Sequence, residues 1–459
     1  MADPLQSADF LALLAGAQRR LDEGFAHLPQ AVAVALPEDA AAVLAEAATR
    51  MFDNYPYAHP LYAGQMLKPP HPVARAAYAM AMAVNPNNHA LDGGRASSAM
   101  ELEAVAEIAT MFGLPQRPDG YLGHLTSSGT IANLEALWVA GLVRPGKAVA
   151  ASAQAHYTHT RISGVLGLPF VAIPVDDTNR IDLTALEHLL RSQSIGTVVA
   201  TLGTTATGSV DPLDQLLLLQ KKYGFRIHVD GAYGGYFTLA SNLAEAARRA
   251  YDAIPSADSV VIDPHKHGLQ PYGCGCVLFR DPAVGRFYKH DSPFTYFTSG
   301  ALHLGEISLE CSRAGASAVA LWTTQRLLPL TAGGTFAKGL SQGRAAALAM
   351  FDRIAASPAF VAPTHAPQLD IVFWAAAAPS PDASSALAQA IFDEAAKLDL
   401  HLALARLPIA LFPEGTWSDN PGPTVLCLRS VLMKPEHLAW LDRIWTRLEA
   451  ATETAMRNP

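Results

Sequence analysis

With 459 residues, half of them hydrophobic and only 16% charged, the chain is composed like a compact globular protein and is too apolar to be a disordered one. A formal net charge of -8 without any run of Lys or Arg excludes a basic nucleic-acid stripe, and no apolar run reaches the roughly 18 residues of a membrane span. Four cysteines, Cys274, Cys276, Cys311 and Cys427, are too sparse for a disulfide framework, so a reducing cytoplasm and a small-molecule partner are the expectation.

Single cores stop growing at roughly 250 to 300 residues, so more than one domain is expected. The N-terminal "FLALLAGAQRR" has no basic stretch before it and reads as a helix rather than a targeting signal. Phe10, Leu14, Ala17, Leu21 and Phe25 give it one apolar face, to be buried on its own domain or on a second subunit. Residues 51–95 are rich in Pro, Asn, His, Tyr and Gly, and long irregular segments of this kind are often functional. The aromatic stretch from Tyr55 to His89 suits either stacking on a flat ligand or packing between subunits. A helix follows, with Ser98 and Glu101 at capping-box spacing and Leu102, Val105, Ala109 and Phe112 as its stripe.

A regular alternation then begins. "GYLGHLTS", "KAVAAS", "FVAIPV", "TVVATLG" and "RIHVD" read as strands, separated by the helical patterns "GTIANLEALWVAGL", "AHYTHTRISGVLG", "LTALEHLLRSQ" and "DPLDQLLLLQKKYG". Such alternation predicts a mostly parallel sheet covered by helices on both faces. Asp211 and Pro212 look like an N-cap and first-turn proline, and Gly224 like a helix end. "DSVVID" and "GCVLFR" are joined by about a dozen residues, too few for a crossover helix, so one antiparallel strand is expected. After "ASAVALWTTQRLLPL", residues 331–350 predict a long helix leading into a smaller C-terminal α+β domain. That domain would hold "LDIVFWAA" and "TVLCLRSVLM" as strands and end on the helix "PEHLAWLDRIWTRLEA". The expected division is an arm over 1–95, a large domain over 96–330 and a small one over 331–459.

Ligands in open parallel sheets sit beyond the C-terminal strand ends, so residues just after each strand are candidates for one shared site. "TSSGT", Thr126 to Thr130, opens a helix and can hold a phosphate there, though a plain N-cap turn explains it too. Asp230 in "HVDGAYGG" is too deep in apolar sequence to lack a cationic or N–H partner. His156 and His159 have the i, i+3 spacing of a metal pair, but no third ligand follows and no metal is expected. Thr204 and Thr205 in "TLGTT" place hydroxyls at another strand end. Lys266, in "DPHKHG", is an ammonium at the end of an apolar run and needs a partner or a covalent use. Phosphate cradle, flat aromatic group, carboxylate and amine together match pyridoxal 5'-phosphate. Its aldehyde would take Lys266 as a Schiff base, and Asp230 would keep its ring nitrogen protonated.

Five stretches in order, "SSGTIANLEAL", "AHYTHTR", "TLGTTATGSVDPL", "HVDGAYGG" and "DSVVIDPHKHG", resemble the motifs of the pyridoxal-phosphate-dependent group II amino-acid decarboxylases, over about residues 85–322. The resemblance implies fold type I, with a mostly parallel seven-stranded sheet, an obligate homodimer, and roles for individual residues. Lys266 would carry the cofactor; His156 would stack on its ring and help position or protonate the intermediate; Asp230 would pair with the ring nitrogen and Ala232 pack on the opposite face. Ser128, Gly129, Thr130 and His265 would hold the phosphate, and Thr204 would lie near the ring. Gly231 and Ser128 depart from the usual alanine and glycine without removing a chemical group. The stretch from Ser292 resembles the family's mobile loop, implying that Thr298 or Ser299 reaches the neighbouring subunit's phosphate and that Tyr296, or else Tyr288, donates a proton.

The cofactor permits several reactions, and the protein selects among them by which bond at Cα stands perpendicular to the ring. An aminotransferase would hold the substrate carboxylate with an arginine, for which Arg429 and Arg313 are candidates, although either can equally be a structural ion pair. The expectation is an L-amino-acid decarboxylase acting on an aromatic or otherwise flat side chain. The alternatives are a carbon–carbon lyase, an aldehyde-forming decarboxylase, an aminotransferase and an inactive scaffold.

Overall fold

The computed structural model of the chain describes residues 8–30, 35–89, 93–117, 120–289, 308–417 and 422–457. Its large sheet is built where the apolar runs are longest. β4 (Ile195–Thr201) is buried at every position, as are β2 (Ala148–Ser152) and β6 (Ser259–Ile262). Strands covered on both faces have no need to alternate polar and apolar residues, which is why these segments read as unbroken hydrophobic stretches. With β1 (Leu122–Thr126), β3 (Phe170–Ile173), β5 (Arg226–Gly231) and β7 (Gly275–Phe279) they form a seven-stranded sheet in the order β1-β7-β6-β5-β4-β2-β3. β7 runs antiparallel to both neighbours and the other pairs are parallel, the single reversed strand that the short β6–β7 link demands.

The crossovers are α5 (Gly129–Val143), α6 (Thr158–Val165), α7 (Leu183–Ser192) and α8 (Leu213–Tyr223), preceded in the chain by α1 (Ala8–Phe25), α2 (Ala40–Arg50), α3 (Pro72–Met82) and α4 (Arg95–Met111). Gly224 ends α8 in the left-handed region at φ 74, a conformation that favours glycine. Two expected caps are used otherwise. Ser98 and Glu101 lie inside α4, where Glu101 accepts from Asn88, Leu125 and Arg313. Asp211 accepts from the N–H groups of Ile181 and Thr201, pinning two loops, and Pro212 takes the N-cap position of α8.

After α9 (Glu245–Asp252) and α10 (Gly315–Leu327), α11 (Thr335–Ala356) leads to a second sheet of β8 (Phe360–Val361), β9 (Ile371–Ala376), β10 (Ala403–Pro408) and β11 (Thr424–Val431). Its order is β10-β11-β9-β8, all antiparallel. α12 (Pro381–Lys397) and α13 (His437–Arg457) cover it, with Trp374, Met350, Ile391 and Leu448 in the shared core. Leu61 and Ala63 enter that same core, and the Ala63 carbonyl accepts from the Val431 N–H, so the irregular N-terminal segment is stitched to the C-terminal sheet. α1 packs on α3, while α2 buries none of its residues. No helix among the described residues is long and apolar enough to cross a membrane.

Candidate active site

Strand ends supply the site. β5 delivers Asp230, paired in register with Thr201 of β4 and Val261 of β6, to the C-terminal edge of the sheet. The β6–β7 link starts at Asp263 and turns back through Leu269, a non-glycine residue at φ 64, so Lys266 is held near Asp230 while the residues after it face elsewhere. A cavity of about 200 Å³ opens there. Ser128, Gly129 and Thr130 line one side of it, His156 and Ala232 another, and Asp230, His265 and Lys266 its floor. Eight residues expected to meet from sequence therefore share one cavity.

The charges are arranged in two pairs. Lys266 Nζ lies 3.0 Å from Asp263 Oδ2, three residues before it. Burial alone would lower the pKa of the lysine, but the charge of Asp263, its hydrogen bond and the more distant Asp230 raise it. Asp230 Oδ2 accepts from His159 Nε2 at 2.8 Å, and its Oδ1 accepts from the Ala232 N–H at 3.1 Å. Burial would push this carboxyl up; the His159 bond, with the charges of His159, His228 and Lys266, instead holds it well below the usual carboxylate range. The buried Asp230 carboxyl is thus held in its ionised form by its partners.

His156 is half-buried, its Nδ1 2.5 Å from the Thr158 hydroxyl, and burial lowers its pKa, leaving a neutral flat ring. His265 donates Nδ1–H to the Cys274 carbonyl at 2.6 Å, stacks 4.9 Å from the exposed ring of Tyr272, and turns Nε2 towards Asp263 at 3.5 Å. Ser128 caps α5 by accepting from the Ile131 N–H, and the first N–H groups of that helix face the cavity edge. Gly129 is required by packing: a Cβ there would sit 2.4 Å from Asp263 Oδ1.

Three residues to which sequence reasoning gave no role in this site complete it. His159 is the partner that Asp230 needs. Asp263 is the partner of Lys266. Asn133 donates to the Gly129 carbonyl and accepts from His228, tying the start of α5 to β5. The i, i+3 spacing of His156 and His159 misled, because α6 begins only at Thr158 and the two rings turn to different partners.

Other candidates lie elsewhere. The Thr204 hydroxyl is buried in a network with Thr207 and the Ser209 N–H, and its neighbour Thr205 is the one that lines the cavity. Tyr288 is in the core behind α5, bonded to Glu135 at 3.0 Å, and does not line the cavity. Tyr296, Thr298 and Ser299 fall outside the described residues. Arg313 is a structural ion pair with Glu101 at 2.7 Å. Arg429 donates to the carbonyls of Thr205 and Ala206 and to Gln65. Tyr55, Tyr57 and Tyr62 stack among themselves and on His401 rather than facing the cavity.

The residues present fit pyridoxal phosphate. Asp263 Oδ1 and Thr201 Oγ1 are buried at the cavity without hydrogen-bond partners, and the cavity brings together an amine, an ionised carboxylate, a neutral imidazole and a capped helix start. Fold and site together are those of a pyridoxal-phosphate protein. The chain belongs to the pyridoxal-dependent decarboxylase family, whose conserved domain matches residues 65–376.

Similar proteins include an L-tyrosine decarboxylase of Enterococcus faecium, 31% identical over 60% of this chain and 60% of its own length. An aspartate 1-decarboxylase of Aliivibrio fischeri is 35% identical over 43% of this chain and 41% of its own. The chain thus spans less than two thirds of these curated relatives. Among solved structures, Oryza sativa TDC with PLP and tryptamine superposes with a TM-score of 0.79 at 18% identity, covering 99% of this chain and 100% of that one.

Proposed function

We propose that the protein is a pyridoxal-phosphate-dependent L-amino-acid decarboxylase that releases CO2 and a primary amine. The observation that carries this reading is the composition of the Lys266 cavity: among the described residues lining it there is no arginine. Three donors of Arg429 are already committed to protein oxygens. A substrate carboxylate left without a bidentate clamp is weakly held, which favours its loss over its retention.

Bound pyridoxal phosphate supplies an electron sink conjugated to the substrate's α-carbon. Asp230, kept ionised by His159, is the partner for a proton on the ring nitrogen. Lys266 carries the cofactor, and Asp263 beside it accepts or returns the lysine proton. Ser128, Thr130 and the N–H groups at the start of α5 take the phosphate. His156, neutral and flat, would cover one face of the ring.

An aromatic substrate is the preferred reading. Two observations support it: the exposed Tyr272 ring beside His265 gives the cavity mouth a flat surface, and a similar protein is an L-tyrosine decarboxylase. A homodimer is the proposed assembly, supported by Leu44, Met51 and Phe52, which are exposed among the described residues, on or next to a helix that buries none of its own.

The test is CO2 release from a panel of L-amino acids with added pyridoxal phosphate, with and without a keto-acid acceptor, and with amine and aldehyde assayed together. CO2 with equimolar amine and no need of acceptor is expected, L-tyrosine ranking high. Amino transfer or aldehyde as the main product would overturn the reaction while keeping the cofactor.

A further inference from the structure

Tyr233 lines the Lys266 cavity, and its hydroxyl donates to Asp370 Oδ1 at 2.5 Å; on the far side of that contact lies a second cavity of about 430 Å³. It is enclosed by residues 68–72, the start of α11 and residues 433–436, and it shares no lining residue with the first. Nothing in the proposed reaction uses it. Its size falls in the range of small-molecule sites, roughly 300 to 1,000 Å³.

Its polar groups are unevenly satisfied. Lys68 makes no ion pair with a described residue, and the one hydrogen bond of its ammonium is a long one, 3.5 Å to the Met433 carbonyl. An ammonium has three donors, so most of its capacity is unused. Burial lowers the Lys68 pKa to about 8, against the opposing pull of Asp370 and Glu436. His267, 2% exposed, has no hydrogen bond on either ring nitrogen, though its Nε2 is 3.3 Å from Asp370 Oδ2. Asp370 Oδ1 is taken by Tyr233 and its Oδ2, without a hydrogen bond, faces His267, so the larger share of donors still seeking an acceptor is on Lys68. Arg75, Lys434 and Glu436 also line the cavity, Lys434 already donating to the Tyr62 carbonyl, while Phe336, Leu340 and Pro70 give it an apolar side. An inorganic anion would satisfy Lys68 and leave that side bare; an amine would bring a further cation to it.

We infer that this cavity is a second ligand site, taking a small monocarboxylic acid with its carboxylate on Lys68 and its carbon chain against Phe336 and Leu340. The inference does not depend on the decarboxylase reading, since the two cavities have separate walls.

The test is calorimetric titration of the pyridoxal-phosphate-loaded full chain with hexanoate, using hexylamine and inorganic phosphate as comparisons. One hexanoate per chain is expected, with the visible absorbance of the cofactor unchanged. Lys68→Met should weaken hexanoate at least about ten-fold, the scale of one lost charge-assisted contact. Gly339→Leu is an independent variant that leaves every charge in place. Gly339 lines the cavity, and a Cβ there meets only Pro435 Cγ, at 3.4 Å, so the added side chain has room to fill the space without distorting α11. Hexanoate binding should disappear in it while thermal unfolding stays at or above the parent's. The inference is overturned if the parent does not bind hexanoate. It is equally overturned if both variants bind it as the parent does, or if hexylamine or phosphate binds more tightly.

Discussion

Two lysines, each on the wall of its own cavity, behave in opposite ways. Lys266 sits where strand ends converge, 3.0 Å from Asp263 and within the field of Asp230, and its pKa is raised in spite of burial. Lys68 sits on an irregular segment with no ion-pair partner among the described residues, and burial brings it down to about 8. Burial is common to both; the placing of carboxylates decides the sign. A parallel sheet offers several strand ends side by side, so it can surround one amine with two carboxylates and a histidine. Lys68 also has two carboxylates in its surroundings, Asp370 and Glu436, but neither is within ion-pair distance of its ammonium.

The most damaging change to this contrast is Lys266→Ala. Loss of the covalent anchor should remove the visible absorbance of the bound cofactor and lower turnover by about 10³-fold or more. Lys68→Met should leave both in place. An unaltered spectrum in the first variant, or a lost one in the second, would mean that the roles of the two lysines have been misassigned.

Asp230→Asn comes next. It keeps the shape and removes the charge, so the cofactor should remain bound while turnover falls by about 10² to 10³, the scale of removing one preorganised electrostatic partner. Near-normal turnover would break the pairing of Asp230 with the ring nitrogen. His159→Leu is milder, about ten-fold at neutral pH, because it acts only through the carboxylate. Its signature is in the pH profile. His159 holds the Asp230 pKa down, so removing it raises that pKa, and activity should be lost at a higher pH as the solution is acidified. An acid limb that stays where the parent's lies would make His159 a packing residue.

These variants also separate what was legible in the sequence from what was not. The large sheet was readable because β2, β4 and β6 are buried along their whole length, leaving apolar runs too continuous to mistake. Lys266, Asp230 and His156 were readable because each lies at or just beyond a strand's C-terminal end, and those ends share one edge of the sheet. His159 was visible but misread, since its true partner is on β5 and spacing within α6 says nothing about contacts to another strand. The tyrosines from Tyr55 were assigned to stacking on a ligand or another subunit; in the structure they stack on His401, a contact made by chain reversal and invisible to local pattern. The neighbours of Lys68 come from residues 267, 370 and 433–436, and no periodicity announces that assembly.

The smallest expected effect tests the second lysine through stability. An unperturbed lysine titrates near 10.4, and Lys68 in the folded chain near 8. Between those values the unfolded chain binds a proton that the folded chain does not, so raising the pH through this window stabilises the fold. Below about pH 8 the folded state carries an ammonium that burial disfavours, at a cost on the order of 3 kcal/mol. Lys68→Met keeps a chain of similar length and removes the charge, so it should be more stable than the parent at pH 7 by up to that amount in urea unfolding. The advantage should shrink towards pH 10, where the parent no longer carries the charge. A difference that is constant across that range would mean that the Lys68 ammonium has a partner or solvent in the folded state, and the contrast with Lys266 would then rest on geometry alone.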